Sequence, residues 1–398
     1  MVELRHCNTQ FWERGQVTFY WFYKKTLSSD FTTNVKKNQE GNRTKSLTKD
    51  TVLGKELFEK YTPKKDLNRK AADFLEKHVT VKTINRFETC SSWFHHLTNF
   101  EMSVKRLHKT DACGNRFCPI CTWKTAKKDA IKISIMMDAV KEIEDKEFLF
   151  LTLTAPSVSG EELREEIDRF NQAINRLFQR RNVKRVVKGY IRKLEVTTDQ
   201  EKLITEELYK RKKDYYDFRG LKVNDPNPTY DTYHPHMHII VVVNKSYFGG
   251  NRDFINQTEW LEMWRSCMKD NSITQVDARK VHSTKSGNSK AVLEIAKYSA
   301  KGSDLYHSEK VFDTFYGALK RRQLIVFSGM MKDYAKKFKT GDLDKFKEIN
   351  EDEYTHLLQS VWRGSGYDSK LRELSQAEFE LYNERAKFID ESDDFVGD

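Results

Sequence analysis

The stretch His234-Pro-His-Met-His-Ile-Ile-Val-Val-Val243 decides the reading of this chain. Its apolar, β-branched run, Ile239 to Val243, is far too short to span a membrane but suits a buried strand from His236 to Val243. Side chains alternate across a strand, so His236 and His238 emerge on the same face and can share one ion. On the residues alone they read either as ligands or as hydrogen-bonded structural histidines. The preceding predicted strand, Gly189 to Thr197, places Lys193, Glu195 and Thr197 on one face, opposite Leu194 and Val196. Glu195 is an awkward core residue. If the two strands are neighbours, two imidazoles and a carboxylate meet, leaving positions for a phosphate oxygen and water. Such mixed N/O ligation suits Mn2+ or Mg2+, a Lewis acid toward phosphoryl oxygen.

Outward from this pair, Phe148 to Thr154 reads as another strand, stopped by Ala155-Pro156. Leu163, Ile167, Phe170, Ala173, Ile174 and Leu177 recur at threes and fours, the period of a helix. Further helices are expected over Asp253 to Met268 and Ser289 to Ala300, with a short β stretch at Ile273 to Val276. In the last helix Val292, Ile295, Ala296 and Ser299 form the apolar face, while Glu294, Tyr298 and Lys301 stack at i, i+4 and i+7 on the other side. That pattern fits a plain amphipathic helix. Beside a metal strand it also fits chemistry, because a phenol with a reference pKa of about 10 needs a nearby cation to act as a nucleophile. Lys297 and Lys301 are available.

Upstream, Cys113-Gly-Asn-Arg-Phe-Cys118-Pro-Ile-Cys121 contains a CxxC, and Cys90 is a candidate fourth ligand. Four thiolates suit tetrahedral Zn2+. His95, His96 or His108 could replace Cys90, and buried thiols are the plainer alternative, with Cys7 and Cys267 as ordinary examples. A basic, helical stretch follows from Trp123 to Val140.

The 398 residues carry 70 Lys plus Arg against 59 Asp plus Glu, a net +11 that favours a polyanionic partner. Lys184, Arg185, Lys188 and the run Lys210 to Lys213 are candidate phosphate contacts. No secretion signal or membrane span is legible, which places the chain in the cytoplasm and its cysteines among ligands or free thiols. The expected divisions are a polar, partly disordered region at 1–80, a cysteine-rich zinc module with a basic helix at 81–140, a catalytic α+β domain at 141–330, and a helical, acidic tail at 331–398.

Taken together, Phe150-Leu-Thr-Leu-Thr154, His236-Met-His238 and the segment Glu294 to Lys301 resemble the three motifs of the HUH endonuclease superfamily. With the cysteine block and Trp123, the chain from Cys90 to Gly329 resembles the rolling-circle replication initiators of small Gram-positive plasmids. The resemblance implies an α+β fold, an HUH-type antiparallel sheet flanked by helices, with the N-terminal zinc-binding module and a helical C-terminal region attached. It implies Tyr298 as the nucleophile, Glu294 as a general base, Lys301 as a phosphate-binding cation, and His236, His238 and Glu195 around a divalent ion. Cys90, Cys113, Cys118 and Cys121 would hold structural Zn2+. The implied partners are single-stranded and duplex origin DNA, with a host helicase and DNA polymerase. Two segments depart from the family pattern: the charged insertion Asp199 to Thr232 and the long N-terminal region. A mobilisation relaxase, a single-strand transposase and a non-enzymatic zinc-containing DNA-binding regulator are the rival readings.

Overall fold

The computed structural model describes residues 45–47, 52–250, 252–282, 290–296 and 302–388. Its ten strands are β1 (Lys45–Leu47), β2 (Trp93–Thr98), β3 (Lys105–Thr110), β4 (Lys146–Thr154), β5 (Val187–Asp199), β6 (Thr232–Asn244), β7 (Val276–Lys280), β8 (Ile325–Gly329), β9 (His356–Trp362) and β10 (Tyr367–Glu373). They form two five-stranded sheets, ordered β7-β4-β6-β5-β8 and β1-β10-β9-β2-β3, and every named pairing is antiparallel. The expected α+β class with antiparallel sheets and flanking helices is therefore present.

The first of these sheets is built around β6, whose continuous run Ile239 to Val243 is buried on both faces, the pattern of a central strand covered on each side. On one face Leu149, Leu151, Leu153, Leu194, Ile239 and Val241 pack against three amphipathic helices, Leu163–Gln179, Gln257–Met268 and Glu309–Leu319. The first begins in acidic Glu165 and Glu166, and the second in a capping box between Asn256 and Glu259, so each N-terminus has its exposed N–H groups or dipole answered locally. On the opposite face Phe148, Phe150, Ile191, Ile240 and Val242 meet Ile133, Met136 and Val140 of helix Pro119–Glu144, Val292 and Ile295 of helix Lys290–Ala296, and Met331 and Tyr334 of helix Met330–Thr340. Toward the C-terminal end of β4 and β5 and the N-terminal end of β6, this second face turns polar. Thr152, Thr154, Lys193, Glu195, His236 and His238 replace the apolar rungs. Strands β5 and β8 approach so closely that a Cβ on Gly189 would lie 2.7 Å from the backbone nitrogen of Met330, which leaves room only for glycine there.

The second sheet corrects the expectation of a helical C-terminal region. Strands β9 and β10 form a hairpin, β9 pairs with β2, and β1 pairs with β10. The alternation in Tyr367, Ser369 and Leu371, all buried, with Asp368 and Lys370 exposed between them, is a half-buried strand hidden among charges. The turn Arg363-Gly-Ser-Gly366, with Gly364 at φ +94°, is the hairpin signal that marks it. Three further differences are local. A long helix, Val52–Leu75, precedes the cysteine block; the β stretch expected at Ile273 to Val276 lies at Val276–Lys280; and two short helices, Glu206–Arg211 and Lys213–Phe218, occupy the charged insertion. Among the described residues no helix is long and apolar enough to cross a membrane.

Candidate active site and metal centres

Strand register brings the predicted ligands together. Glu195 stands directly opposite His236, and Lys193 opposite His238, while on the other side of β6 Thr152 faces His238 and Thr154 faces His236. Glu195 Oε2 lies 2.8 Å from His238 Nε2 and 3.5 Å from His236 Nε2. One ligating atom from each of the three residues falls within 4.8 Å of the others. His236 Nδ1 is 3.0 Å from the carbonyl oxygen of His234; a carbonyl only accepts, so Nδ1 carries hydrogen and the neutral ring presents its lone pair at Nε2. The Thr152 hydroxyl lies 3.3 Å from His238 Nδ1, and the ring of Phe150 stacks on that imidazole with centroids 5.7 Å apart. Two imidazoles and a carboxylate, each oriented by a neighbour, fit a divalent ion of the magnesium or manganese type.

Electrostatics support the arrangement. Burial opposes ionisation of Glu195, but the adjacent imidazoles of His236 and His238 outweigh it and hold the carboxyl far below its usual range. Lys193, buried beside it, has its pKa lowered by desolvation, against the attraction of Asp129 and Glu195. Burial, then the charges of His236 and Lys212, push His234 down to about 4, so its ring is neutral near pH 7.

The edge strand β7 contributes residues that the sequence reading did not single out. Asp277 pairs with Thr152 and Arg279 with Phe150 across β4. Arg279 stacks its guanidinium 4.9 Å from the Phe150 ring centroid, lies 3.4 Å from Asp277, and donates to both oxygens of Glu294. Desolvation raises the pKa of Asp277, against the pull of Arg279. The alternation Val276-Asp-Ala-Arg279 on a short strand was the available signal. Of the predicted tyrosine helix, residues Lys290–Ala296 are described, with Val292, Ile295 and Ala296 buried as expected. Tyr298, Lys297, Ser299 and Lys301 lie outside the described residues, as does Cys7. The described part of the helix packs against β6 and β5.

The four cysteines also converge. Cys90 Sγ is 3.5 Å from Cys121 and 3.6 Å from Cys118, and Cys113 is 3.6 Å from Cys121. Backbone N–H groups of Cys113, Gly114 and Asn115 and the amide of Asn68 point at sulfur at 3.3 to 3.5 Å, the environment that favours thiolate. A quartet of sulfur donors fits tetrahedral zinc. Cys90 precedes β2 and Cys113 follows β3, so the hairpin folds back to bring the two together. His95, His96 and His108 lie within those strands, outside the quartet. Cys267 is buried on helix Gln257–Met268, in no disulfide, and its sulfur accepts from Arg180 Nε at 3.3 Å. The candidate phosphate contacts are partly neutralised: Arg185 pairs with Asp253 at 2.9 Å, and Lys212 and Lys213 pair with Asp199 and Asp217.

Comparison with known proteins adds family membership. A family model described as "Replication protein" matches residues 104–365. A Staphylococcus aureus "Protein rep" is 38% identical over 247 residues, covering 62% of this chain and 94% of its own. A Streptococcus pneumoniae "Protein rep" is 32% identical over 285 residues, covering 71% and 80%, and one from Bacillus amyloliquefaciens is 29% identical over 295 residues, covering 68% and 78%. No solved structure matches.

Proposed function

The chain belongs to the replication-protein family of rolling-circle plasmid initiators, and from that premise we propose that it opens replication by nicking one strand of the origin through Tyr298. The observation that carries this reading is the convergence of His236, His238 and Glu195 at the polar end of a sheet face. The same face is covered by the helix that leads through Glu294 and Ala296 toward Tyr298.

The reaction is a transfer of phosphorus between oxygens. The phenolic oxygen of Tyr298 attacks the scissile phosphate, a Tyr–O–P bond forms, and the bond to the 3′ oxygen breaks. The phenolic proton is lost and the 3′ oxygen gains one, so the products are a 5′-phosphotyrosyl protein and a 3′-OH primer. His236, His238 and Glu195 would hold a divalent ion, which would supply Lewis-acid polarisation of the phosphate when bound. Lys301 positions or neutralises the phosphate. Because the covalent link retains phosphodiester energy, the same group can rejoin DNA at termination. There, with the tyrosine occupied, Glu294 serves as general base for water. The hydrogen bonds from Arg279 to Glu294 support this assignment by orienting the carboxylate beside β7.

By this reading the protein binds single-stranded and duplex origin DNA, hands the 3′-OH to a host polymerase and works with a host helicase. The names of the relatives favour replication over mobilisation or transposition. The test is conversion of a supercoiled plasmid bearing the protein's own origin to open circles in manganese. Wild-type protein should nick it and form a covalent adduct on a single-stranded origin oligonucleotide, whereas Tyr298→Phe should form none. An adduct from Tyr298→Phe removes the nucleophile assignment, and no metal-dependent nicking by the wild type removes the enzyme.

A further inference from the structure

The charged insertion between β5 and β6 has no part in the chemistry above, yet its placement and surface are specific. It leaves from Asp199 and returns at Thr232, residues that pair with each other at the site end of the two strands, four residues beyond Glu195 and His236. Its core is its own: Ile204, Leu208 and Tyr216 bury one another apart from the main core. Its root is pinned by Asp199, which binds Lys212 and accepts from the Thr229 hydroxyl at 2.6 Å, and by Asn227, whose amide donates to the Glu201 carbonyl at 2.9 Å. Thr197, two residues before Asp199, pairs with His234, whose ring is 5.2 Å from that of His236. The insertion is thus joined to the site's own face.

At its tip Phe218 is 86% exposed, the most exposed large apolar side chain among the described residues. Arg219 places its guanidinium 3.9 Å from the Tyr215 ring centroid and 5.8 Å from that of Phe218, and Lys202 lies 5.9 Å from the ring of Tyr230, itself 41% exposed. Flat π faces interleaved with positive charge, on an insertion rooted four residues beyond Glu195 and His236, match what unpaired nucleobases and their backbone require.

We propose that this insertion is a stacking platform for single-stranded DNA, with Phe218 and Arg219 gripping bases that flank the phosphate to be cut. The identity of that strand rests on the nicking reading, whereas the stacking itself does not. The full chain is titrated against a fluorescein-labelled, mixed-sequence single strand of about 16 nucleotides, followed by anisotropy. Phe218→Ala and Arg219→Ala should each weaken binding about fivefold or more, Phe218→Trp should restore it, and a blunt duplex of equal length should lose less than twofold. Binding by Phe218→Ala within twofold of wild type overturns the platform. So does an equal loss on duplex, which assigns the tip to general phosphate contact, and so does a change confined to self-association, which assigns it to a second copy. A wild type that binds the strand but never nicks a plasmid sinks the nicking reading and leaves this one standing.

Discussion

Arg279 on β7 donates from one guanidinium nitrogen to both carboxylate oxygens of Glu294, at 3.1 and 3.0 Å. The bond crosses from the sheet edge to the helix and sets Glu294 near the rung that holds Asp277, Thr152 and His238. Glu294 is largely shielded while Arg279 remains half-exposed, so the carboxylate has one committed partner rather than a shell of water.

Its role can be separated from the first nick. Glu294→Ala should form the covalent adduct at close to the wild-type rate but release it at least tenfold more slowly, in the 10²–10⁴-fold range of a lost general base at the far end. Arg279→Gln should show the same split to a smaller degree, because it loosens the carboxylate without deleting it. Single-turnover adduct formation and release on an origin oligonucleotide give both rates; equal release by Glu294→Ala ends its proposed role.

The cysteine quartet should carry metal. Purified protein should yield about one zinc ion per chain by elemental analysis. Cys118→Ser should lose it and unfold at lower temperature, since thiolates gathered this closely repel one another without a cation. Retention of stoichiometric zinc by that variant would move the ligand set elsewhere.

Lys65 is a buried cation beneath the same quartet. It is 2% exposed, and its ammonium donates to the carbonyls of Glu88 and Cys90, each at 2.7 Å, and to the Ser92 hydroxyl at 3.4 Å. Desolvation lowers its pKa, with Cys90 and Asp111 pulling it back. Lys65→Met fills the space but leaves two carbonyls unanswered, a cost of roughly 2–4 kcal/mol. Urea unfolding should show that loss, with the cysteine module the first part to lose amide-exchange protection.

The C-terminal hairpin offers a pH test. Glu378 caps its helix at Ser375 and accepts two hydrogen bonds from Arg372, at 2.8 and 2.7 Å, and these hold its carboxyl down at about 2 from an ordinary 4.5. A depressed carboxyl contributes stability above its unfolded pKa and loses it as pH falls through the folded one. Glu378→Gln should therefore cost about 1 kcal/mol near neutrality. The gap from wild type should hold down to about pH 4.5 and close between there and about 2. Thermal melts across that range measure it; a constant gap would show that packing, not charge, is lost.

Local periodicity made much of the site legible. A period of two set His236 and His238 on one face and Glu195 opposite Leu194 and Val196, and a period of 3.6 set Val292, Ile295 and Ala296 on one side of their helix and Glu294 on another. The C-terminal strands escaped because Lys370, Asp368 and Arg372 dilute the apolar alternation of β10, and a strand of that kind is stabilised by its neighbours rather than by its own composition. Asp277 and Arg279 escaped for a related reason: a five-residue edge strand carries too short a pattern to be placed.

The amino-acid order by itself determined which side chains are neighbours within one element, because backbone geometry repeats every two or every 3.6 residues whatever surrounds it. Only the tertiary structure decided that Glu195 stands across from His236 rather than one rung away, that Cys90 returns to Cys113, and that β9 from the C-terminal region lies beside β2. Those choices join segments far apart along the chain, and they are set by burial and backbone pairing between elements.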